Sequence, residues 1–136
     1  MTNGINGQNV LNSFPPVNFT FTLGQNGDLP MVGDWDGNGI DGVGVFRNST
    51  FNLSNGFQGT IDIKPFIFGG PGVRPLEGDW NGDGITTIGV FDPNTGTMSL
   101  NNTNSPGNGI GDIVFSFGVN GDIPVAGDWD GKPSLP

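Results

Sequence analysis

The sequence predicts an all-β fold of four-stranded antiparallel blade repeats of β-propeller type, and three observations carry that prediction. A five-residue box recurs as Gly33-Asp34-Trp35-Asp36-Gly37, Gly78-Asp79-Trp80-Asn81-Gly82 and Gly127-Asp128-Trp129-Asp130-Gly131. The boxes start at residues 33, 78 and 127, hence 45 and 49 residues apart. A long fixed period marks a chain made of small stacked supersecondary units. Short runs with large apolar residues at alternate positions flank the boxes, the period of a half-buried strand. No apolar 3.6-residue period survives ten residues without a glycine or proline, so helices have no support.

Each unit opens on an approach strand: Phe19–Leu23, Phe66–Phe68 or Phe115–Phe117. A turn follows, with Asn26-Gly27, Pro71-Gly72 or Asn120-Gly121 at its centre, where glycine takes positive φ without steric cost. A second short strand, Pro30–Val32, Pro75–Glu77 or Pro124–Ala126, enters the box. After the box come Val43–Phe46 and Ile88–Phe91, β-branched residues around a glycine, and the unit closes with Phe51–Leu53 or Met98–Leu100. Four short strands in about 47 residues make one blade.

These boundaries divide one repeat domain, residues 1–136, into four stretches. Residues 1–13 carry the last strand of a partial unit, because Gly7–Asn12 matches Gly96–Asn101. Unit 1 spans 14–57, unit 2 spans 58–106, and 107–136 form an incomplete unit 3. Two complete units with partial ones at both ends leave open sheet edges, short of the roughly four blades of a closed propeller. Either the chain is a fragment of a longer array, or copies complete one another by strand addition into a ring or a filament.

Composition narrows the function. The 26 glycines and 11 prolines among 136 residues serve turns, and 11 Phe with 3 Trp supply most of the large core side chains. A net charge of −9 with four Lys and Arg argues against binding a nucleic-acid backbone. Seven of the thirteen acids (Asp34, Asp36, Asp41, Asp79, Asp83, Asp128 and Asp130) lie in or beside the boxes, which points to a cation rather than to general solvation. The absence of cysteine excludes disulfides and thiolate metal sites. No apolar run reaches the roughly 18 residues of a membrane span, and the first residues lack the pattern of a signal peptide. Lacking His, Cys and Tyr, the chain has few of the usual bases and nucleophiles, so it is expected not to be an enzyme. Sequons at Asn18, Asn48, Asn52 and Asn101 are candidate glycosylation sites.

The boxes themselves alternate oxygen ligands with glycine. Asp34, Asp36 and Asn38 stand at alternate positions in the first loop, with Asp41 following; Asp79, Asn81 and Asp83 do so in the second. Hard cations such as calcium take six to eight oxygens, and a glycine-bent loop turns alternate side chains toward one point. The backbone carbonyl of Ile40 or Ile85 is the expected further ligand. Magnesium holds its water too firmly, and zinc and copper lack their His and Cys ligands. An EF-hand needs Glu at loop position 12, where Val45 and Val90 stand. Neither loop has an acid at its ninth position, Gly42 or Thr87, so the expected dissociation constant is on the order of 10⁻⁴–10⁻³ M. In the third box Asp128 and Asp130 remain, but Lys132 and Pro133 follow, and the site is expected to be weak or empty. The competing reading makes all of these Asx-rich turns whose side chains cap backbone N–H groups. The tryptophans are expected to pack between blades, the other option being an exposed sugar-stacking platform.

The run Gly121–Gly131, with the strand Ile88-Gly89-Val90-Phe91, resembles the FG-GAP/VCBS repeats of integrin α propellers and bacterial surface proteins. The resemblance covers nearly the whole chain. It implies calcium in Asp-x-Asx-x-Asx-Gly loops, carried over here to Asp34, Asp36, Asn38, Asp79, Asn81 and Asp83. The expectation is therefore a calcium-stabilised, self-assembling extracellular structural protein: a filament, sheath or surface-layer subunit. The alternative is a cell-surface adhesion or lectin-like module that binds a glycan or a protein.

Overall fold

A computed structural model describes residues 20–57 and 59–129. Among these the chain is all-β, with two four-stranded antiparallel sheets, no helix and no closed ring. The first sheet contains β1 (Leu29–Gly33), β2 (Gly42–Arg47), β3 (Thr50–Ser54) and β4 (Ile63–Ile67), hydrogen-bonded in that order. The second repeats it with β5 (Arg74–Gly78), β6 (Thr87–Asp92), β7 (Thr97–Leu100) and β8 (Ile113–Ser116). The registers match residue for residue: Pro30 pairs with Val45 and Pro75 with Val90, while Met31 faces Gly44 and Leu76 faces Gly89.

The sheets group the strands one place later than the sequence units do. Phe66 belongs to β4, the last strand of the first sheet, because it pairs with Phe51 of β3. Two aspartates explain why. Asp62 accepts a hydrogen bond from the Asn55 N–H (2.7 Å) and its own N–H reaches the Leu53 carbonyl (3.1 Å). Asp112 does the same with the N–H of Asn102 (2.9 Å) and the Leu100 carbonyl (2.8 Å). Each carboxylate closes the long β3–β4 or β7–β8 loop back on itself, so the next strand returns to the same sheet. Residues 20–23 and 124–126, expected as strands, lie in none; the expected strand at 7–12 lies outside the described residues.

Two turns are built alike, one before the first sheet and one after the second. The Asp28 carboxylate accepts from the Gln25 N–H (2.9 Å), and the Asp122 carboxylate from the Val119 N–H (2.8 Å). Asp28 also takes the Arg47 guanidinium at 2.6 Å, which ties the turn to the end of β2. That guanidinium holds the Asp28 carboxyl below its ordinary value, with the Gln25 N–H helping against the opposing effect of desolvation.

The core lies between the sheets. Met31, Phe46, Phe51, Leu53, Phe66 and Phe68 cover the front of the first sheet, and Ile88 and Val90 from the back of β6 close over them. Phe51 stacks on Phe66 with ring centroids 5.3 Å apart. The second sheet carries the same front: Leu76, Phe91, Met98 and Leu100, with Trp80 packed against them. Among the described residues no third sheet closes over it.

Glu77 sits on the inner back of the second sheet, half-buried, and desolvation raises its carboxyl above the ordinary value. A carboxyl raised by folding adds stability below its unfolded value and loses it as pH climbs through the folded one. Glu77→Gln is therefore expected to stabilise the chain at pH 7 and to lose that advantage in acid below about pH 4. Thermal unfolding of both forms across pH measures it.

Candidate metal centre

The two intact boxes fold into superimposable loops. In the first, the Asp34 carboxylate accepts from the backbone N–H of Asn38 (3.0 Å) and of Gly39 (2.8 Å). In the second, Asp79 accepts from the N–H of Asp83 (3.0 Å) and of Gly84 (2.8 Å). The third loop residue repeats as well, Asp36 accepting from Asn38 (3.1 Å) and Asn81 from Asp83 (3.2 Å). The fifth does too, with Asn38 accepting from Ile40 (2.8 Å) and Asp83 from Ile85 (2.9 Å). Such bends need positive φ at Gly39 (87°) and Gly84 (88°), which glycine alone takes cheaply.

Desolvation pushes the Asp34 carboxyl up, but the N–H groups of Gly39 and Asn38, with Asp36 and Gly37, outweigh it and hold the group below its ordinary value. Stability from Asp34 is thus present at neutral pH and lost as pH falls through its folded value.

The tryptophans secure the loops to the sheets. Trp35 Nε1 donates to the Val43 carbonyl and Trp80 Nε1 to the Ile88 carbonyl, both at 3.2 Å. Each indole lies over the first glycine of its box; a Cβ at Gly78 would come within 2.5 Å of the Trp80 ring. The two loops sit at the same end of neighbouring sheets. Thr86, just after the second loop, donates its N–H to the Asp34 carbonyl (2.8 Å) and accepts from the Asp34 N–H on its hydroxyl (3.0 Å). Asn104 Nδ2 bridges the carbonyls of Thr86 (3.0 Å) and Trp35 (3.3 Å).

The donors brought together are carboxylate and amide oxygens, the chemistry of a hard cation. Asp34, Asp36 and Asn38 share one loop, as do Asp79, Asn81 and Asp83, and the side-chain hydrogen bonds run to the same backbone N–H groups. Every bond just described is also the cap that a metal-free Asx turn makes. Among the described residues no three acids gather into one metal-holding group. Asp41 follows the first loop, and in the repeat it holds the place of Thr86. Ile40 and Ile85 bend into the loops through the N–H bonds given above.

In the third box Asp128 is described, while Asp130, Lys132 and Pro133 lie outside the described residues. Its tryptophan departs from the other two, with Trp129 78% exposed against 4% for Trp35. The sequons differ among themselves. Asn48 is exposed at the tip of the β2–β3 hairpin, in a left-handed conformation (φ 49°), and Asn52 is half-buried on β3. Asn101 is fully buried with its Nδ2 bonded to the Ser105 carbonyl (2.8 Å), so the folded chain withdraws it from modification. Asn18 lies outside the described residues. No helix is long and apolar enough to cross a membrane among the described residues.

Sequence reasoning missed the structural roles of Asp62, Asp112, Thr86 and Asn104. Only the first pair left a signal, an aspartate shortly before the apolar run of the closing strand. Comparison with protein-family models, with curated proteins and with solved structures found no match.

Proposed function

We propose that this protein is a calcium-stabilised, self-assembling β-repeat scaffold of an extracellular structure, related to the FG-GAP/VCBS repeats that its sequence resembles. The observation that carries the reading is the identity of the two box loops. Both fix oxygens of the first, third and fifth residues on one glycine-bent turn, and both stand where one sheet meets the next. Asp34, Asp36 and Asn38 would hold one ion, and Asp79, Asn81 and Asp83 another. A bound cation would neutralise the carboxylates of a chain with a net charge of −9 and stiffen the joint between sheets.

A scaffold role also fits what the chain offers outside the loops. Its large surfaces are sheet faces made for packing, and the conspicuous exposed aromatic residues lie on the side of the second sheet where another sheet would sit. The lectin-like alternative draws support from Trp129, an exposed indole of the kind that stacks on sugars.

Size-exclusion chromatography with light scattering, in calcium and in EDTA, tests the proposal. The expected result is a species of two or more chains in calcium that loses mass or stability in EDTA. A calcium-indifferent monomer at every concentration contradicts it.

A further inference from the structure

The internal contact between the two sheets specifies what an open sheet face of this chain accepts. On the first sheet, the front made by Met31, Phe46, Phe51, Leu53, Phe66 and Phe68 receives Ile88 and Val90 from the back of β6. Position by position, the second sheet offers the same front with Leu76, Phe91, Met98, Leu100, Phe115 and Phe117. Among the described residues no further sheet is seated on it; Leu76, Phe91, Met98 and Leu100 are buried all the same, but the β8 edge is open. Phe68 is 2% exposed and its equivalent Phe117 is 72% exposed. A cavity of about 490 Å³ opens there, between the sheet and the arm that runs on from Gly118 to Trp129.

The chain also carries the counterpart of the missing cover. β2 has Val43 and Val45 where β6 has Ile88 and Val90, in the same register against the strand before it. They lie on the back of the first sheet, Val43 half-buried and Val45 buried beneath the turn at Gly24. Beside them the same face exposes Val32 (52%), paired with Val43, and Ile67 (64%), paired with Thr50. On the inner back of the second sheet those two places hold Glu77 and Ser116. Among the described residues, the back of the first sheet is thus more apolar than the back of the second, which is already buried in the fold. Exposed apolar side chains gathered on one sheet face, here Val32 and Ile67, mark an interaction surface.

We infer that two copies of this chain dock head to tail, the back of the first sheet of one copy, through Val32, Val43 and Ile67, covering the front of the second sheet of the other along its open β8 edge. The contact continues the packing already established between the sheets within one chain. A polar tie is available in the same place. Thr86 bonds the backbone of the first box across the internal contact, and Asp41 holds its position in the first unit, with a carboxylate able to accept from a backbone N–H of the second box.

The fold also says what has to yield. Gly24 already approaches Val45 as Gly69 approaches Val90, so the docking copy brings its own turn to the contact. The arm from Gly118 onward in the receiving copy competes for that ground and swings aside. It belongs to neither sheet, and Val119, Ile123, Val125 and Trp129 along it are 66–79% exposed. Because the two faces differ, the contact is heterologous. It leaves one front and one back free, and so propagates into a ring or a filament.

This inference rests on the self-assembly half of the proposed function, and a pair of complementary variants separates the two. Phe117→Asp spoils only the front, and Val32→Asp with Ile67→Asp spoils only the back. All three side chains are more than half exposed, so the unfolding midpoint of each variant should match wild type in dilute solution. By sedimentation velocity the wild type should grow with concentration. Each variant alone should sediment as a monomer, with association weakened by at least about tenfold. An equimolar mixture of the two should form a discrete pair and nothing larger, since only one good front and one good back remain. Acidic substitutions on both faces keep the spoiled surfaces from attracting each other. Wild type that stays monomeric overturns both the inference and the assembly reading. Wild type that assembles while both variants assemble equally well overturns the inference alone. Loss in the front variant with full association in the back variant means front-to-front pairing, and overturns it as well.

Discussion

Trp35→Ala is expected to cost about 3–5 kcal/mol of folding stability, whereas Trp129→Ala should change it by no more than about 0.5 kcal/mol. The two residues hold the same place in the same five-residue box, so local sequence predicts equal effects. Their surroundings differ. Trp35 packs into the core between the sheets and its indole N–H holds the Val43 carbonyl at 3.2 Å. Its removal leaves a cavity that the two sheets cannot collapse to fill, and it orphans a part-buried carbonyl. Domains of this kind have about 5–15 kcal/mol in total, so the variant should sit near the edge of folding. Trp129 is 78% exposed, with no sheet packed over it among the described residues. Urea unfolding of the two variants in dilute solution, read by circular dichroism, gives the comparison; equal losses would contradict the packing account.

Calcium is expected to raise the melting temperature substantially. A ligand that binds only the folded chain adds about 2.7 kcal/mol for each site when its concentration is a hundredfold above the dissociation constant. At this chain length that corresponds to a rise on the order of 10 °C for each loop. The modest affinity expected of loops without a ninth-position acid places the required concentration at about 10 mM or above. Asp34→Asn and Asp79→Asn each keep an oxygen for the backbone N–H groups but give up a charge. Each should halve the calcium-induced rise, and each should also lower the melting temperature in EDTA, because an amide leaves one of the two capped N–H groups without its carboxylate oxygen. If the loops are only Asx turns, calcium will shift the melting temperature of neither the variants nor the wild type.

Much of the architecture is legible in the sequence because it depends on local pattern. The alternating runs, the turn dipeptides and the tryptophan boxes mark seven of the eight strands within a residue or two. Even the equality of the first two loops shows in the letters, since Asp34 and Asp79 begin the same spacing of oxygens and glycines. Two things were not legible, and both depend on what a segment meets in space. The grouping of strands into sheets turned on Asp62 and Asp112, whose bonds fold a long loop back toward its own sheet. The approach strand looks the same whichever sheet it joins. Burial was the other. Phe68 and Phe117 occur in nearly identical sequences, and only the presence of Ile88 and Val90 over the first separates a core residue from a surface one. Asp41 illustrates the same limit at the site. Its charge and its position after the loop suggest a ligand, while the bond that its equivalent Thr86 makes to Asp34 across the two sheets shows only in space.

Equilibrium dialysis against calcium tests the central claim most directly, because it counts ions rather than inferring them from stability. The folded wild-type chain should take up two calcium ions, saturably, with no third at the last box. Asp34→Asn and Asp79→Asn should each retain one site at the same free calcium, and the double variant none. Absence of saturable uptake by the folded wild type, or uptake that both loop variants leave unchanged, would contradict the account.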